Sequence, residues 1–176
     1  VWPDPGAWFT MPVHGPMGRT VEDVALMLSA VAGPDRRSPV SLELPGSVFA
    51  PPLERDLRGL RVAFAPNLGG LPVDPRVAEV IAAQRQVFVD LGCAVEDDCP
   101  DLAEADFAFH AYRAWDFEAG LGEHLDRHPD KLKQTVIWNI EEGRVLSGPE
   151  LGRAERARTR VYERARRFFE RYDVLV

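Results

Sequence analysis

The chain has 176 residues and a mass of 19.6 kDa, with 45% hydrophobic and 28% charged residues, a composition that argues against a disordered tail, a collagen-like repeat or a disulfide scaffold. A formal charge of −7 and a pI near 5.1 argue against a nucleic-acid or anionic-membrane surface built on surplus Lys and Arg. At this size a chain buries roughly 70% of the surface it exposes when unfolded, so one compact unit spanning 1–176 is expected. No apolar run reaches the roughly 18 to 20 residues of a membrane span, and no basic and then apolar leader marks secretion. Cys93 and Cys99 have neither CxxC nor Cys/His metal spacing and read as reduced thiols, which points to the cytoplasm.

Val1 to Gly15, rich in Pro, Trp and small residues, reads as an ordered loop crossing a surface. A helix follows, with Thr20 and Asp23 as a capping box, Val21, Val24, Ala25, Leu28 and Val31 as its apolar face, and Gly33-Pro34 as its stop. Residues 34–56 carry Pro34, Pro39, Pro45, Pro51 and Pro52, which defeats helix and central strand alike and predicts a long surface connection. Leu60 to Phe64 reads as a short strand, Asn67 to Gly70 as a Gly-rich turn, and Asp74 with Pro75 as the start of a helix carrying Val77, Val80, Ile81, Val87, Phe88 and Leu91, which Gly92 closes. Ala94-Val95-Glu96 is the next strand, and the three pieces make a parallel βαβ unit.

Helical patterns then cover about Asp101 to Leu125, Lys131 to Gly143 and Pro149 to Arg171. The last has Ser147 and Glu150 as a capping box and Leu151, Ala154, Val161, Ala165, Phe168 and Phe169 as its apolar face. Tyr172 to Val176 reads as a strand beginning. The predicted class is α/β, a helix-rich segment with one βαβ unit and a final strand. It is laid out as loop plus helix (1–33), surface loop (34–56), βαβ unit (57–100) and helical part ending in a strand (101–176). With no initial Met and a strand starting at its last residues, the sequence reads as a segment of a longer protein. The unpaired edge of such a strand can be buried by forming a homodimer.

Motifs for chemistry are sparse. Asn67-Leu68-Gly69-Gly70 lies between strand and helix, where backbone N–H groups could cradle a phosphate, but it matches neither GxGxxG nor GxxxxGK[ST] and reads as a plain turn. His124 and His128 have i, i+4 spacing without a third ligand and read as solvated rather than zinc-binding. The last helix carries Arg153, Arg156, Arg158, Arg160, Arg164, Arg166, Arg167 and Arg171, interleaved with Glu150, Glu155, Glu163 and Glu170, and reads as a salt-bridged face. None of Ser29, Ser38, Ser41, Ser47 and Ser147 sits in GxSxG, at SxxK spacing or in a glycine-rich loop. From the residues alone no nucleophile stands out.

Gly15-Pro16-Met17-Gly18-Arg19-Thr20-Val21-Glu22-Asp23, followed by Ala32-Gly33-Pro34-Asp35, resembles a segment of the amidase signature family. Gly59 to Val62, the turn from Pro66 to Pro75, Leu91 to Glu96 and Tyr172 to Val176 follow in the order and approximate spacing of that family's middle section. The resemblance implies that the chain is part of a larger mixed-sheet fold whose members hydrolyse amide bonds with a Ser, cis-Ser, Lys triad. It places that triad before Thr20, so the chain itself carries no catalytic residue, and Lys131 and Lys133, its only lysines, are not promoted to that role. It implies a small-molecule amide substrate, no cofactor and no metal, with no nucleic acid or membrane as partner. The segment, inactive alone, then supplies scaffold and cleft wall, with Tyr112, Trp115 and Trp138 as candidate pocket residues. Arg19 and Asp23 cap and pin a helix in this reading. Two other readings stay open: an interaction module that presents the Arg-rich helix to an acidic partner, and an amidase homologue that kept the scaffold and lost the chemistry.

Overall fold

The computed structural model describes residues 7–176. The first part of the predicted N-terminal loop, Val1 to Gly6, lies outside the described residues. The elements in order are α1 (Val21–Val31), a 3-10 turn (Gly46–Phe49), β1 (Arg61–Ala63), α2 (Pro75–Asp90), β2 (Ala94–Glu96), α3 (Ala105–Arg127), a second 3-10 turn (Pro129–Lys131), α4 (Gln134–Val145), α5 (Gly148–Phe168) and β3 (Val174–Leu175). The α/β class holds, and helix dominates. By their contacts the described residues fall into two units, 7–55 with 115–144, and 56–114 with 145–176. The two largest fully buried side chains fall one in each, Ile140 in the first and Val62 in the second.

In the first unit, α1 starts at the capping box the sequence predicts. Thr20 Oγ1 accepts from the Asp23 N–H at 3.1 Å, and the Asp23 carboxylate accepts from the Thr20 N–H at 3.3 Å, satisfying two donors that a helix start leaves open. Gly18 is required just before it, because a Cβ there would stand 2.7 Å from Asp23 Cβ. The face of α1 is narrower than predicted: Ala25 is buried and Val24 and Leu28 are half-buried, while Val21 and Val31 are exposed. The Pro-rich connection is not wholly free of structure. Its 3-10 turn packs on α1 so closely that a Cβ on Gly46 would fall 2.3 Å from the Ser29 carbonyl oxygen.

The second unit holds a parallel sheet in the order β2-β1-β3. Arg61, Val62 and Ala63 pair with Ala94, Val95 and Glu96, and Val62 and Ala63 pair with Val174 and Leu175 on the other side. The middle strand is therefore the buried one, with Val62 and Ala63 inaccessible to solvent. Phe168 and Tyr172 pack on Ala63, with Leu175 against them. Asp74 caps α2 by accepting from the Arg76 N–H at 2.9 Å, with Pro75 at the first helical position. Ser147 and Glu150 form the capping box of α5. The α5 helix stops at Phe168, three residues before the predicted end at Arg171, and a short turn carries the chain into β3.

Candidate functional site

The residues singled out as pocket candidates divide between the two units. Tyr112, on the part of α3 in the second unit, is buried. Its hydroxyl donates to the Glu155 carboxylate on α5, and the Arg158 guanidinium lies over its ring at 5.1 Å. Burial, and then the bond to Glu155, push the phenol above its ordinary pKa. Trp115 begins the part of α3 in the first unit, 37% exposed, and meets Phe9 edge to face with centroids 5.4 Å apart. Trp138 on α4 is 50% exposed beside the buried Asn139 and Ile140. Asn139 donates to the Thr135 carbonyl at 2.7 Å and so holds its polar end within its own helix.

Lys131 lies 3.8 Å from Asp130, and both lysines are exposed. His124 and His128 are exposed near the end of α3, and among the described residues no three His, Cys, Asp or Glu side chains gather as metal ligands. Ser147 caps a helix, Ser29 donates to the Leu26 carbonyl at 2.7 Å, and Ser41 bridges the backbone of Asp35 and Ser38. In the Asn67 to Gly70 turn, the N–H groups of Leu68, Gly70 and Leu71 bond to carbonyls of Ala65 and Asn67, so they do not point outward as a phosphate cradle requires.

The Arg-rich helix is largely self-neutralised. Arg160 pairs with Glu104 at 2.5 Å, Arg164 with Asp101 at 3.3 Å, Arg166 with Glu170 at 2.6 Å and Arg171 with Asp98 at 2.9 Å. Arg164 also donates to the carbonyls of Asp101 and Ala103 and so fastens the loop between β2 and α3 to α5. Arg160 holds the Glu104 carboxyl below its ordinary pKa.

A second polar cluster, which sequence spacing did not reveal, sits at the carboxyl end of β2. The buried Tyr172 hydroxyl lies 2.9 Å from a Glu96 oxygen and 2.9 Å from an Asp98 oxygen. The Glu96 bond and then desolvation push its pKa up to about 12. At the amino end of β1, Arg61 forms a two-pronged pair with Asp173 at 2.7 and 3.1 Å, and the Asp173 carboxylate also accepts the Arg61 N–H at 2.9 Å. The Arg61 guanidinium lowers the Asp173 carboxyl to a pKa of about 2. Only Cys99 and Asp101 among ionisable residues line the crevice next to this cluster.

The amidase family model matches residues 8–176, nearly the whole chain. The chain belongs to the amidase family. An acylamidase of Rhodococcus erythropolis is 32% identical over 181 residues, covering 97% of this chain and 36% of its own length. An amidase of Pseudomonas putida is 30% identical over 166 residues, covering 92% of this chain and 35% of its own length. The crystal structure of a bacterial aryl acylamidase of the amidase signature family superposes with a TM-score of 0.79 at 25% identity, over 92% of this chain and 35% of that one. The chain thus spans about a third of the length of these relatives. Among the described residues no helix is long and apolar enough to cross a membrane.

Proposed function

We propose that the protein carrying this chain hydrolyses carboxylic amide bonds by the Ser, cis-Ser, Lys mechanism of its family, and that these 176 residues contribute scaffold and substrate-cleft wall rather than the triad. The observation that carries this reading is the family match over residues 8–176 joined to the fold likeness to an aryl acylamidase. In such a mechanism the lysine acts as base through the bridging serine, the second serine attacks the carbonyl, and backbone N–H groups hold the oxyanion until water releases the acyl group. None of the five serines lies at SxxK spacing or in a glycine-rich loop, and both lysines are exposed, which supports this reading.

For the wall, Trp115 and Trp138 present exposed indole surface in the first unit. Flat aromatic walls of this kind suit an apolar or aromatic acyl or amine group. The reading is tested by assaying the full protein against anilides and aliphatic primary amides and by reading the coding sequence upstream of Val1. Amide hydrolysis together with an upstream Gly/Ser-rich loop carrying two serines and a lysine supports it. A full protein without that loop and without amide turnover is a scaffold that lost its chemistry.

A further inference from the structure

We propose that the pocket between the end of α5 and the loop after β2 binds a small organic monocarboxylate, with Arg167 receiving the carboxylate and an apolar floor receiving the body that carries it. The inference does not rest on the amidase reading. The pocket has a volume of about 260 Å³ and lies wholly within the second unit. The loop contributes Cys99, Pro100 and Asp101 to it, and the other wall is Arg164, Arg167, Phe168 and Arg171.

What singles the pocket out is a row of cations that lacks one anion. Arg160, Arg164 and Arg167 on α5 and Arg171 just after it follow one another at spacings of four, three and four, which sets them along one stripe. Arg171 pairs with Asp98 at 2.9 Å, Arg164 with Asp101 at 3.3 Å and Arg160 with Glu104 at 2.5 Å. Arg167 is left over: among the described residues its guanidinium has no ion pair or hydrogen bond. The carboxylates four before and three after it, Glu163 and Glu170, are both held by Arg166. Between Asp98 and Asp101, the loop residues that share the pocket with Arg167 are Cys99 and Pro100. Desolvation and then the Asp98 charge push the Cys99 thiol up, so neither residue supplies a negative charge.

Charge and shape then select the ligand. The guanidinium groups of Arg160, Arg164, Arg167 and Arg171 meet the carboxylates of Asp98, Asp101 and Glu104, so the surplus is a single positive charge. A monoanion closes it, whereas a dianion would set its second charge against Asp101 in the lining. The two coplanar oxygens of a carboxylate match the guanidinium fork and make a two-pronged, charge-assisted bond. The floor is apolar: Phe168 and Pro100 are buried, and the Arg171 guanidinium lies over the Phe168 ring at 5.8 Å. A small hydrated ion gains nothing from such a floor, and a carboxylate on a flat apolar body covers it.

The test is calorimetric titration of the full protein and of its Arg167→Gln variant with benzoate, acetophenone, acetate and phenyl phosphate. Arg167 is exposed and unpaired, so the variant should melt with the native protein. Benzoate held elsewhere in the protein is held by both, so the difference between the two isotherms belongs to this pocket. Benzoate should occupy one site that the variant holds about tenfold or more weakly, the scale for losing one charge-assisted pair. Arg167→Lys keeps the charge without the fork and should fall between them. Acetophenone, of the same shape without the charge, should bind both proteins alike, and acetate and phenyl phosphate should bind the native site more weakly than benzoate does. Equal benzoate affinity in the native protein and Arg167→Gln overturns the proposal, as does a loss of acetophenone binding that matches the loss for benzoate. Acetate as tight as benzoate removes the apolar floor, and phenyl phosphate tighter than benzoate removes the single-charge surplus; either result overturns a monocarboxylate site. A lowered melt of Arg167→Gln reveals a partner already held by Arg167 and overturns it too.

Discussion

Ile140→Ala probes the core of the first unit, where Ile140 on α4 has no solvent exposure. The substitution removes three carbon atoms, about 2.4 kcal/mol at about 0.8 per buried methylene. The cavity left behind adds to this, giving about 3 to 4 kcal/mol. Val62→Ala, on the central strand of the second unit, removes two carbons and should cost about 2 to 3 kcal/mol by the same reasoning. Intrinsic chromophores separate the two: Trp8, Trp115 and Trp138 fall in the first unit, and Tyr112, Tyr162 and Tyr172 in the second. Urea unfolding followed by tryptophan fluorescence should therefore report Ile140→Ala as a midpoint loss of about 1.5 to 2 M, taking an m-value of about 2 kcal/mol/M. Tyrosine absorbance should report Val62→Ala. A shift worth less than about 1 kcal/mol for Ile140→Ala would mean that its site is loosely packed. Equal shifts in both signals for both variants would mean that the two units unfold together.

Gly46→Ala drives a Cβ to 2.3 Å from the Ser29 carbonyl oxygen, and the overpacking should cost about 1 to 3 kcal/mol in the tryptophan-detected transition. Thr20→Ala removes the cap of α1 and should cost about 1 kcal/mol in the same melt, while Thr20→Ser should retain most of the stability. Asp173, whose pKa falls to about 2 in the folded chain, contributes stability that is present above the ordinary carboxylate range and lost as pH falls toward 2; Asp173→Asn should flatten that acid limb. Tyr172, raised to about 12, contributes stability present below the ordinary phenol pKa and lost as pH climbs toward 12, and Tyr172→Phe should flatten the alkaline limb of the same profile. In the full protein, Trp115→Ala and Trp138→Ala should lower kcat/KM for anilides more than for aliphatic amides. An unchanged preference in both variants would remove the aromatic wall from the account.

Much of the secondary structure was legible without coordinates. The helix starts at Thr20, Asp74 and Ser147 are where the sequence puts them, since a cap speaks to a backbone group two or three residues away. The strands around Val62 and Val95 and their parallel pairing were also readable, because a strand, helix and strand of this length have few ways to join. The family motif from Gly15 to Asp23 pointed to the amidase family, and Gly18 within it has a steric reason that the coordinates expose.

What the tertiary structure alone decided is non-local. Arg61 finds Asp173 across 112 residues of chain, and Tyr172 settles between Glu96 and Asp98. Arg160 and Arg164 of α5, and Arg171 just after it, pair with carboxylates of the loop between β2 and α3. No periodicity in the sequence encodes such partners, because each depends on which ends of β1, β2 and α5 the packing brings together. The pocket around Arg167 is of the same kind. In the sequence Arg167 is one arginine among many in the last helix, and it stands out only where α5 lies against the loop after β2, because there the other arginines of its stripe find carboxylates and it meets Cys99 and Pro100.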